Sequence, residues 1–539
     1  MNKLQDKSIT RRCMTATCVN AVIQCMALIS PYIMGQIIDD YIPNQKLRLI
    51  YLGIGLFVSI PFLSVLLSTL YNYLTIKFVR KKGNEYAMKV MENLVFQEMS
   101  FYDKENSLEL LSYASKEMVG YVNFLVTDLS RYYVNVVMAV ATLAVLISIH
   151  PVMGVMQLFY IPLAYYPVKY FGKKVQDEIS LVVTKNAENN QIRGDIFQAI
   201  EFVKLNCIEG VKLKEVEAGN NAINGIWGKV AALDSLCGIW TVGFVSVLFT
   251  GLTFGVGALL VINGNQLQVG QLVSVITYCA VYYGSMNAIM TTSIDRKKQE
   301  SEYAQVLSYL DMDGEREHNY GKKEFTMEKG IFFRNCHFSY PGKEEILGGR
   351  TFSFKKGHWT GIVGASGCGK TTVLDLITKL YKGCDGQVFV DKTDINEIDS
   401  FSIRQRVTKI SQNVFLFPGT IEDNMKLVNP KATKEDMEWA LSMACLKDFM
   451  QQLPKGIKTD VGEAGKLISG GERQRLSIAL GLLKKTKILL LDEVSSALDP
   501  TTEEELARNF KELVKKGYTV ISISHKREFL KYADEVVEF

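Results

Sequence analysis

The sequence predicts a membrane α-helical domain followed by an α/β domain. Before about Asp295 the apolar residues form long runs without charge, which is typical of helices that cross a membrane. From about Gly330 short β-branched runs alternate with amphipathic helical stretches, which is typical of a sheet covered by helices. We therefore predict a membrane domain at 1–310, a linker at 311–328 and an α/β domain at 329–539.

Composition excludes some classes of protein. The chain has 539 residues, too many for one ordinary domain, and its net charge of +4 is small for this length, so no nucleic-acid partner is expected. Its ten cysteines are scattered without a Cys-x-x-Cys pair, which favours reduced thiols over a disulfide framework or a zinc site. No short apolar run with a cleavage site marks a signal peptide, so we expect the first apolar segment to stay in the mature protein.

Six membrane-spanning helices are predicted from the charge-free runs, because a span needs about 20 mostly apolar residues. Four runs lack Asp, Glu, Lys and Arg: Cys13–Ile38, Leu49–Ile76, Tyr132–Val168 and Ser235–Ile294. The last two runs are each long enough for two spans, with turns at His150-Pro151 and at 263–266. The alternative, a buried core of a soluble helical protein, is disfavoured because soluble helices rarely run so far without charge.

The placement of Lys and Arg orients these spans. Basic residues cluster before the first span and after the second, fourth and sixth: Lys3, Lys7, Arg11, Arg12; Arg80, Lys81, Lys82; Lys169, Lys173, Lys174; Arg296, Lys297, Lys298. These flanks are predicted to be cytoplasmic, which leaves only short loops outside. The long inside stretches, roughly 77–131 and 169–234, are predicted to be helices that continue beyond the membrane.

A glycine-rich loop follows the apolar strand Trp359–Val363 and opens a helix at Thr372. It consists of Gly364, Ala365, Ser366, Gly367, Cys368, Gly369, Lys370 and Thr371. In such a loop the backbone N–H groups surround phosphates, a lysine reaches the β- and γ-phosphates, and a hydroxyl ligates Mg²⁺. A glycine-rich turn without nucleotide is the alternative, and the strand–loop–helix context argues against it.

Two further strands end in polar residues suited to nucleotide hydrolysis. The apolar run Ile488–Leu491 leads into Asp492 and Glu493, which we assign to the metal ion and to the general base. The run Val520–Ile523 leads to Ser524 and His525, where the histidine could contact a γ-phosphate. Each motif taken singly has an alternative. Asp492 and Glu493 could be solvated acids at the end of a strand, and His525 could be a structural histidine.

The segment Ile468-Ser469-Gly470-Gly471-Glu472-Arg473-Gln474 resembles the signature of ATP-binding-cassette (ABC) proteins, usually Leu-Ser-Gly-Gly-Gln. Other elements of that family lie before and after this segment, in the order usual for the family. They are Tyr340 for adenine stacking, Gln412 for Mg²⁺ and for sensing the membrane half, Asp460–Glu463, the loop Ser496–Asp499 that exchanges contacts across a dimer, and His525 as the switch histidine. The order of spans before cassette resembles an exporter half-transporter.

This resemblance implies an ATP-hydrolysing exporter that binds ATP and Mg²⁺, the metal through Thr371, Gln412 and Asp492. It also implies a dimer, preferably of two identical chains, in the bacterial cytoplasmic membrane with the cassette in the cytoplasm. The stretches at 101–112 and 201–209 resemble the coupling regions of such exporters, and we expect them to touch the cassette near Gln412 and Glu463. Glu472 and Ala464 depart from the usual Gln and Arg.

The predicted spans also contain candidate residues for a cargo cavity. Nine polar or aromatic residues of the spans could line a cavity: Gln24, Tyr71, Tyr73, Asn135, Trp240, Tyr278, Tyr282, Tyr283 and Asn287. Because no charged residue falls within the runs, we expect an uncharged cavity for an amphipathic or apolar cargo, either a drug-like molecule, a lipid or a peptide. Two other classes, an ATP-gated channel and a soluble P-loop machine, are disfavoured by the intact catalytic glutamate and by the apolar runs.

Overall fold

The computed structural model describes residues 6–104, 110, 117–262, 267–312, 321–383, 386–412 and 414–539, without the side chains of 293–302, 304 and 305. The predicted turn at 263–266 and the coupling residues Glu109, Leu111 and Ser112 lie outside this description. The chain forms two compact units. One contains Met1–Leu94 with Leu108–Met312, and the other contains Val95–Ser107 with Asp313–Phe539.

Apart from α4, which belongs to the second unit, the helices before residue 312 form the membrane unit. They are α1 (Lys7–Ala27), α2 (Ile29–Gln36), α3 (Leu47–Val95), α4 (Met99–Tyr102), α5 (Met118–Asn123), α6 (Leu129–Ile149), α7 (Pro151–Leu158), α8 (Tyr160–Gln198), α9 (Ile200–Leu205), α10 (Glu209–Gly238), α11 (Ser246–Ile262) and α12 (Val269–Leu310). Short π-helical segments continue the path at Ile37–Tyr41, Phe124–Asp128 and Ile239–Val245. The 49 residues of α3 make a helix about 74 Å long, far more than a bilayer requires.

Among the described residues, five helical stretches are long and apolar enough to cross a membrane: Lys7–Tyr41, Leu47–Val95, Met118–Ile149, Glu209–Ile262 and Val269–Thr292. The predicted fourth span, which follows the confirmed turn at His150-Pro151, is not among them. It is divided at Phe159 into α7 and α8. Pro162 explains the division, because it has no N–H group for the carbonyl of Leu158.

The end of the bundle that carries the short loops is held by contacts between α12 and the first helical segments. Asp39 accepts hydrogen bonds from the backbone N–H groups of Gly270 (2.6 Å) and Gln271 (2.8 Å), where its charge also favours the start of α12. A Cβ atom on Gly270 would lie 2.4 Å from the carbonyl oxygen of Gly35. Glycine at position 270 therefore permits this close crossing.

The second unit contains two sheets. The antiparallel sheet has the order β2-β1-β4-β5, with β1 (Gly330–Cys336), β2 (Arg350–Lys355), β4 (Val388–Val390) and β5 (Thr393–Asp394). The parallel sheet has the order β6-β7-β8-β3-β9, with β6 (Val407–Ile410), β7 (Ile488–Asp492), β8 (Thr519–Ile523), β3 (Trp359–Val363) and β9 (Glu535–Glu538). Strands β7 and β8 are fully buried, as their continuous apolar runs require.

Helices accompany these sheets, so the predicted class of an α-helical membrane domain plus an α/β domain is confirmed. They are α13 (Lys370–Ile377), α14 (Ser400–Arg406), α15 (Ile421–Val428), α16 (Lys434–Met443), α17 (Lys447–Gln452), α18 (Gly470–Leu483), α19 (Pro500–Lys515) and α20 (Arg527–Leu530). Short 3₁₀ turns lie at Ile395–Glu397, Gly456–Lys458 and Glu463–Gly465.

Candidate nucleotide site and membrane cavity

Four loops meet at one edge of the parallel sheet. The glycine-rich loop follows β3, Gln412 follows β6, Glu493 follows β7 and His525 follows β8. These strands are neighbours in the order β6-β7-β8-β3, and their carboxyl ends lie at the same edge because all of them are parallel. Ligands of open parallel sheets bind at this edge.

The glycine-rich loop has the backbone conformation of a phosphate cradle. Gly367 and Gly369 have φ angles of +82° and +96°, and a Cβ atom on Gly369 would lie 2.7 Å from the side chain of Ile346. The ammonium group of Lys370 donates to the carbonyl oxygens of Gly364 (3.0 Å) and Ala365 (2.7 Å). The loop thus leads directly into α13, and the side chain of Lys370 lies across the loop backbone. The N–H groups at the start of a helix have no partner within the helix and can bind a phosphate.

Gln412, Glu493 and His525 are brought together around one carboxylate. Gln412 Nε2 donates to Glu493 Oε2 at 2.9 Å, and His525 Nε2 lies 3.0 Å from Glu493 Oε1. Glu493 itself has a φ of +52°, which is unusual for a residue other than glycine. The two contacts hold both oxygens of Glu493, so its side chain has a fixed direction at the end of β7.

Asp492 is the buried member of the pair that ends β7. Its Oδ1 accepts a hydrogen bond from the Thr371 hydroxyl at 3.1 Å, and burial raises the pKa of this carboxyl group while nearby Lys409 opposes the rise. A hydroxyl and a carboxylate at this distance are oxygen ligands of the kind that Mg²⁺ takes at a nucleotide. The residues present therefore fit Mg²⁺.

Sequence reasoning missed the carboxylate–lysine cluster formed by Asp375, Lys409 and Asp492. Lys409 Nζ lies 2.5 Å from Asp375 Oδ1 and 3.7 Å from Asp492 Oδ2, and all three side chains are at most 13% exposed. Lysine and aspartate are rarely buried unless they are paired. In the sequence Lys409 looks like an ordinary exposed lysine, so only the pairing of β6 with β7 reveals the contact.

Tyr340 lies beside the start of α13. Its hydroxyl group is 3.1 Å from Thr372 Oγ1 and donates to Asp375 Oδ2 at 3.2 Å, and burial raises its pKa to about 12. Its ring packs edge-to-face on Tyr381, with 4.8 Å between ring centroids. The hydroxyl of Tyr381 donates in turn to Asp103 Oδ2 at 2.8 Å. One described contact of the first coupling stretch is therefore the hydrogen bond between Asp103 and Tyr381.

The signature-like turn begins α18 with a reciprocal cap. The backbone N–H and the hydroxyl of Ser469 both donate to Glu472 Oε2, at 2.9 and 2.6 Å. This pairing explains why glutamate fits where glutamine is usual, since a carboxylate at this position satisfies two donors. Within the described residues, no hydrogen bond or ion pair joins this turn to the Gly364–Thr371 loop.

Gln474 connects the signature-like helix to the neighbouring loops. Its Nε2 donates to the carbonyl oxygen of Glu493 (2.9 Å), and its Oε1 accepts from the N–H of Ala497 (3.2 Å). Asp499 at the end of the same loop caps α19 through the N–H of Thr502, and hydrogen bonds from Thr501 and Thr502 lower the pKa of Asp499. Gln474 was part of the recognised motif, but the motif alone did not predict that its amide contacts Glu493 and Ala497.

A cavity of about 440 Å³ lies within the membrane unit, between α1, α3, α6 and α12. Of the nine predicted lining residues only Gln24 contributes, while Tyr278, Tyr282 and Tyr283 are buried in helix packing. Arg131 also lines the cavity, so the expectation of an uncharged cavity is wrong. Arg131 lies one residue before the charge-free run Tyr132–Val168 that was used to locate the third span. The helical stretch Met118–Ile149 nevertheless extends beyond Arg131 in both directions.

Comparisons with known proteins agree with this architecture. A family model for the ABC transporter transmembrane region matches residues 14–286, and one for the ABC transporter matches residues 347–496. A multidrug resistance-like ATP-binding protein MdlA of Buchnera aphidicola is 28% identical, over 96% of this chain and 89% of its own length. An ATP-dependent lipid A-core flippase of Pseudomonas fluorescens is 27% identical, over 89% and 80%. A solved bacterial Atm1-family ABC exporter with ATP bound superposes with a TM-score of 0.87 at 21% identity, covering 99% of this chain and 94% of that chain.

Proposed function

Because the chain belongs to the ABC transporter family, we propose that it exports an amphipathic or hydrophobic substrate across the bacterial cytoplasmic membrane by alternating access. It is an integral membrane protein with an ATP-binding domain, and hydrolysis of ATP by this domain is coupled to transport. The names of its relatives, which refer to multidrug resistance and to lipid A-core, support a drug-like molecule or a lipid as cargo, and a peptide remains within the same class. The proposed domains are the membrane domain at 1–310, a linker at 311–328 and the nucleotide-binding domain at 329–539.

The observation that carries this proposal is the convergence of Gln412 and His525 on Glu493. We assign Glu493 as the general base that orients and polarises the attacking water, with His525 and Gln412 holding its carboxylate. Lys370 binds the β- and γ-phosphates with the N–H groups of the loop, and Tyr340 stacks on adenine. Thr371, Asp492 and Gln412 would hold Mg²⁺, which when bound neutralises developing charge on the phosphates.

The proposed active form is a homodimer. Within the described residues no hydrogen bond or ion pair joins the Ser469–Glu472 turn to the phosphate loop of its own chain, which supports a site completed by the turn of a second chain. Because this chain contains both the base at Glu493 and an essentially complete signature, two identical chains would form two complete sites. Expression of this chain alone tests the point, since a stable ATPase-active dimer is expected and an inactive chain rescued by a different subunit would contradict it.

Transport is tested in inside-out vesicles with matched reconstitutions of wild type and Glu493→Gln. We expect ATP-dependent accumulation of an apolar fluorescent dye by wild type. Glu493→Gln should lower hydrolysis by about 10²–10⁴-fold, the usual contribution of a general base, and should retain ATP binding. Hydrolysis within a few-fold of wild type would contradict the role of Glu493. Movement of dye out of these vesicles would contradict export.

A further inference from the structure

The cavity of the membrane unit has both polar and apolar lining residues. Its polar lining includes Asn20, Gln24, Ser68, Asn72, Thr127 and Arg131. Ile23, Val65, Val134 and Met138 supply most of its apolar lining. Binding sites for small molecules usually combine an apolar wall with a few convergent polar groups, and a volume of about 440 Å³ falls within their usual range.

Two of the polar lining residues, Arg131 and Asn72, lie deeper toward the cytoplasm than the apolar Met138. The positive-inside topology puts Leu47 of α3 and Ile149 of α6 at the outer surface. At 1.5 Å per residue, Arg131 then lies about 27 Å and Asn72 about 38 Å from these outer ends, whereas Met138 lies only about 17 Å away. Since the hydrocarbon core is about 30 Å thick, Arg131 and Asn72 lie near or beyond its cytoplasmic boundary and Met138 lies within it.

The guanidinium group of Arg131 has no hydrogen bond or ion pair with any other described residue. Arg12 provides a comparison at the same cytoplasmic end, because its guanidinium donates to Thr75 Oγ1 at 3.5 Å and lies over the ring of Tyr71. A guanidinium group near the hydrocarbon is costly unless an anion or water satisfies it, and such groups commonly mark a substrate path. Its planar donors match the oxygens of a phosphate or carboxylate.

We propose that this cavity binds an amphiphile with an anionic phosphate or carboxylate head group. Arg131 binds the anion, and the amides of Asn20 and Asn72 bind neighbouring polar atoms of the head group. The alkyl chain extends along Val134 and Met138 toward the middle of the membrane. This arrangement selects molecules of the inner leaflet by the charge of the head group. The inference rests on the proposed export function, because it names the substrate class of that same path.

Binding is measured without ATP, on full-length protein in nanodiscs of phosphatidylcholine, by equilibrium dialysis of dodecyl phosphate. Dodecyltrimethylammonium has the same tail and the opposite charge, and inorganic phosphate has no tail. We expect wild type to prefer dodecyl phosphate at least tenfold over the cation and to bind inorganic phosphate at least tenfold more weakly than dodecyl phosphate. Equal affinity for the two amphiphiles would overturn the proposal, and tight binding of inorganic phosphate would assign the site to free anions instead.

Substitutions connect this preference to the cavity. Arg131→Gln should weaken binding of dodecyl phosphate by roughly tenfold or more, the effect of one charge-assisted hydrogen-bonded pair, while Arg131→Lys retains most of the affinity. Lys77→Gln removes an exposed cation of α3 that does not line the cavity, and should change binding less than twofold. An Arg131→Gln protein that binds like wild type would show that Arg131 only anchors the helix at the lipid interface.

The same proteins separate this inference from the proposed function. Dodecyl phosphate should stimulate the ATPase of wild type at lower concentrations than the cationic amphiphile does. Selective binding with no stimulation would support the anion site and contradict coupled export. Stimulation by both amphiphiles at equal concentrations would support export and contradict the anion site.

Discussion

Replacement of Lys409 by methionine tests the carboxylate–lysine cluster. The lysine lies 2.5 Å from one carboxylate and 3.7 Å from another, and all three side chains are nearly excluded from water. Methionine has a similar length but leaves Asp375 and Asp492 buried without a countercharge. Breaking a buried ion pair in this way costs about 3–5 kcal/mol, which for a domain of this size is roughly 6–20 °C in melting temperature.

Calorimetry of the full chain in detergent measures this loss. The transition of the nucleotide-binding unit is the one that ATP shifts upward, because ligands stabilise the state that binds them. Asp375→Asn in the Lys409→Met background should recover most of the loss, since it removes the closer unpaired charge and keeps a partner for Tyr340. As a matched control, Lys434→Met breaks an exposed pair with Glu438 and should shift melting by no more than about 2 °C.

Two results would refute this reasoning. One is a Lys409→Met protein that melts within about 2 °C of wild type, like the Lys434→Met control. The other is a double variant that is less stable than Lys409→Met alone. Either result would mean that water reaches the cluster and screens its charges, so that the pairing contributes little to the stability of the nucleotide-binding unit.

Three more predictions follow from single contacts. Tyr381→Phe and Asp103→Ala each remove one 2.8 Å hydrogen bond, so each should reduce cargo stimulation of the ATPase, and the double variant should be no worse than either. Gly270→Ala should cost about 1–3 kcal/mol in melting experiments because its Cβ would meet a carbonyl oxygen at 2.4 Å, whereas Gly255→Ala, with open space around it, should be neutral or stabilising. Glu472→Gln should tighten binding of a fluorescent ATP analogue a few-fold by removing a negative charge near the proposed phosphate position.

Each of these predictions has a contradicting outcome. Fully additive effects of Tyr381→Phe and Asp103→Ala would mean that their contact has no part in coupling. Equal melting temperatures for the Gly270→Ala and Gly255→Ala proteins would mean that the helices separate easily at this crossing. Weaker ATP binding by Glu472→Gln would mean that the reciprocal cap with Ser469 matters more than the charge.

Local patterns could be predicted from the sequence because their causes are local. The glycine-rich loop needs only a preceding strand and a following helix, and the structure has β3 ending at Val363 and α13 beginning at Lys370. The hairpin at His150-Pro151 was predictable for the same reason, since proline cannot continue the helix that precedes it. The division of the fourth predicted span before Pro162 could not be predicted from the charge-free runs, because a charge count does not consider missing backbone donors.

Contacts between distant residues could not be predicted. The partnership of Lys409 with Asp375 and Asp492 depends on β6 lying beside β7, and strand order cannot be read from one sequence. Arg131 was missed for a different reason. A search for charge-free runs ends at the first charge, so it excludes a charged residue that lies inside the helix but faces a cavity.

The position of Gln474 has a mechanical consequence. The side-chain amide of Gln474, on the helix that begins after Ser469, contacts the carbonyl oxygen of Glu493 and the N–H of Ala497, and this residue is only 3% exposed. We therefore expect a rotation of that helix to move Glu493 and the following loop with it. In the proposed dimer, the surface that grips the neighbour's nucleotide and the base that acts on the chain's own nucleotide would move as one body. Binding of ATP at one end of the interface would then affect the site at the other end through a single buried side chain, that of Gln474.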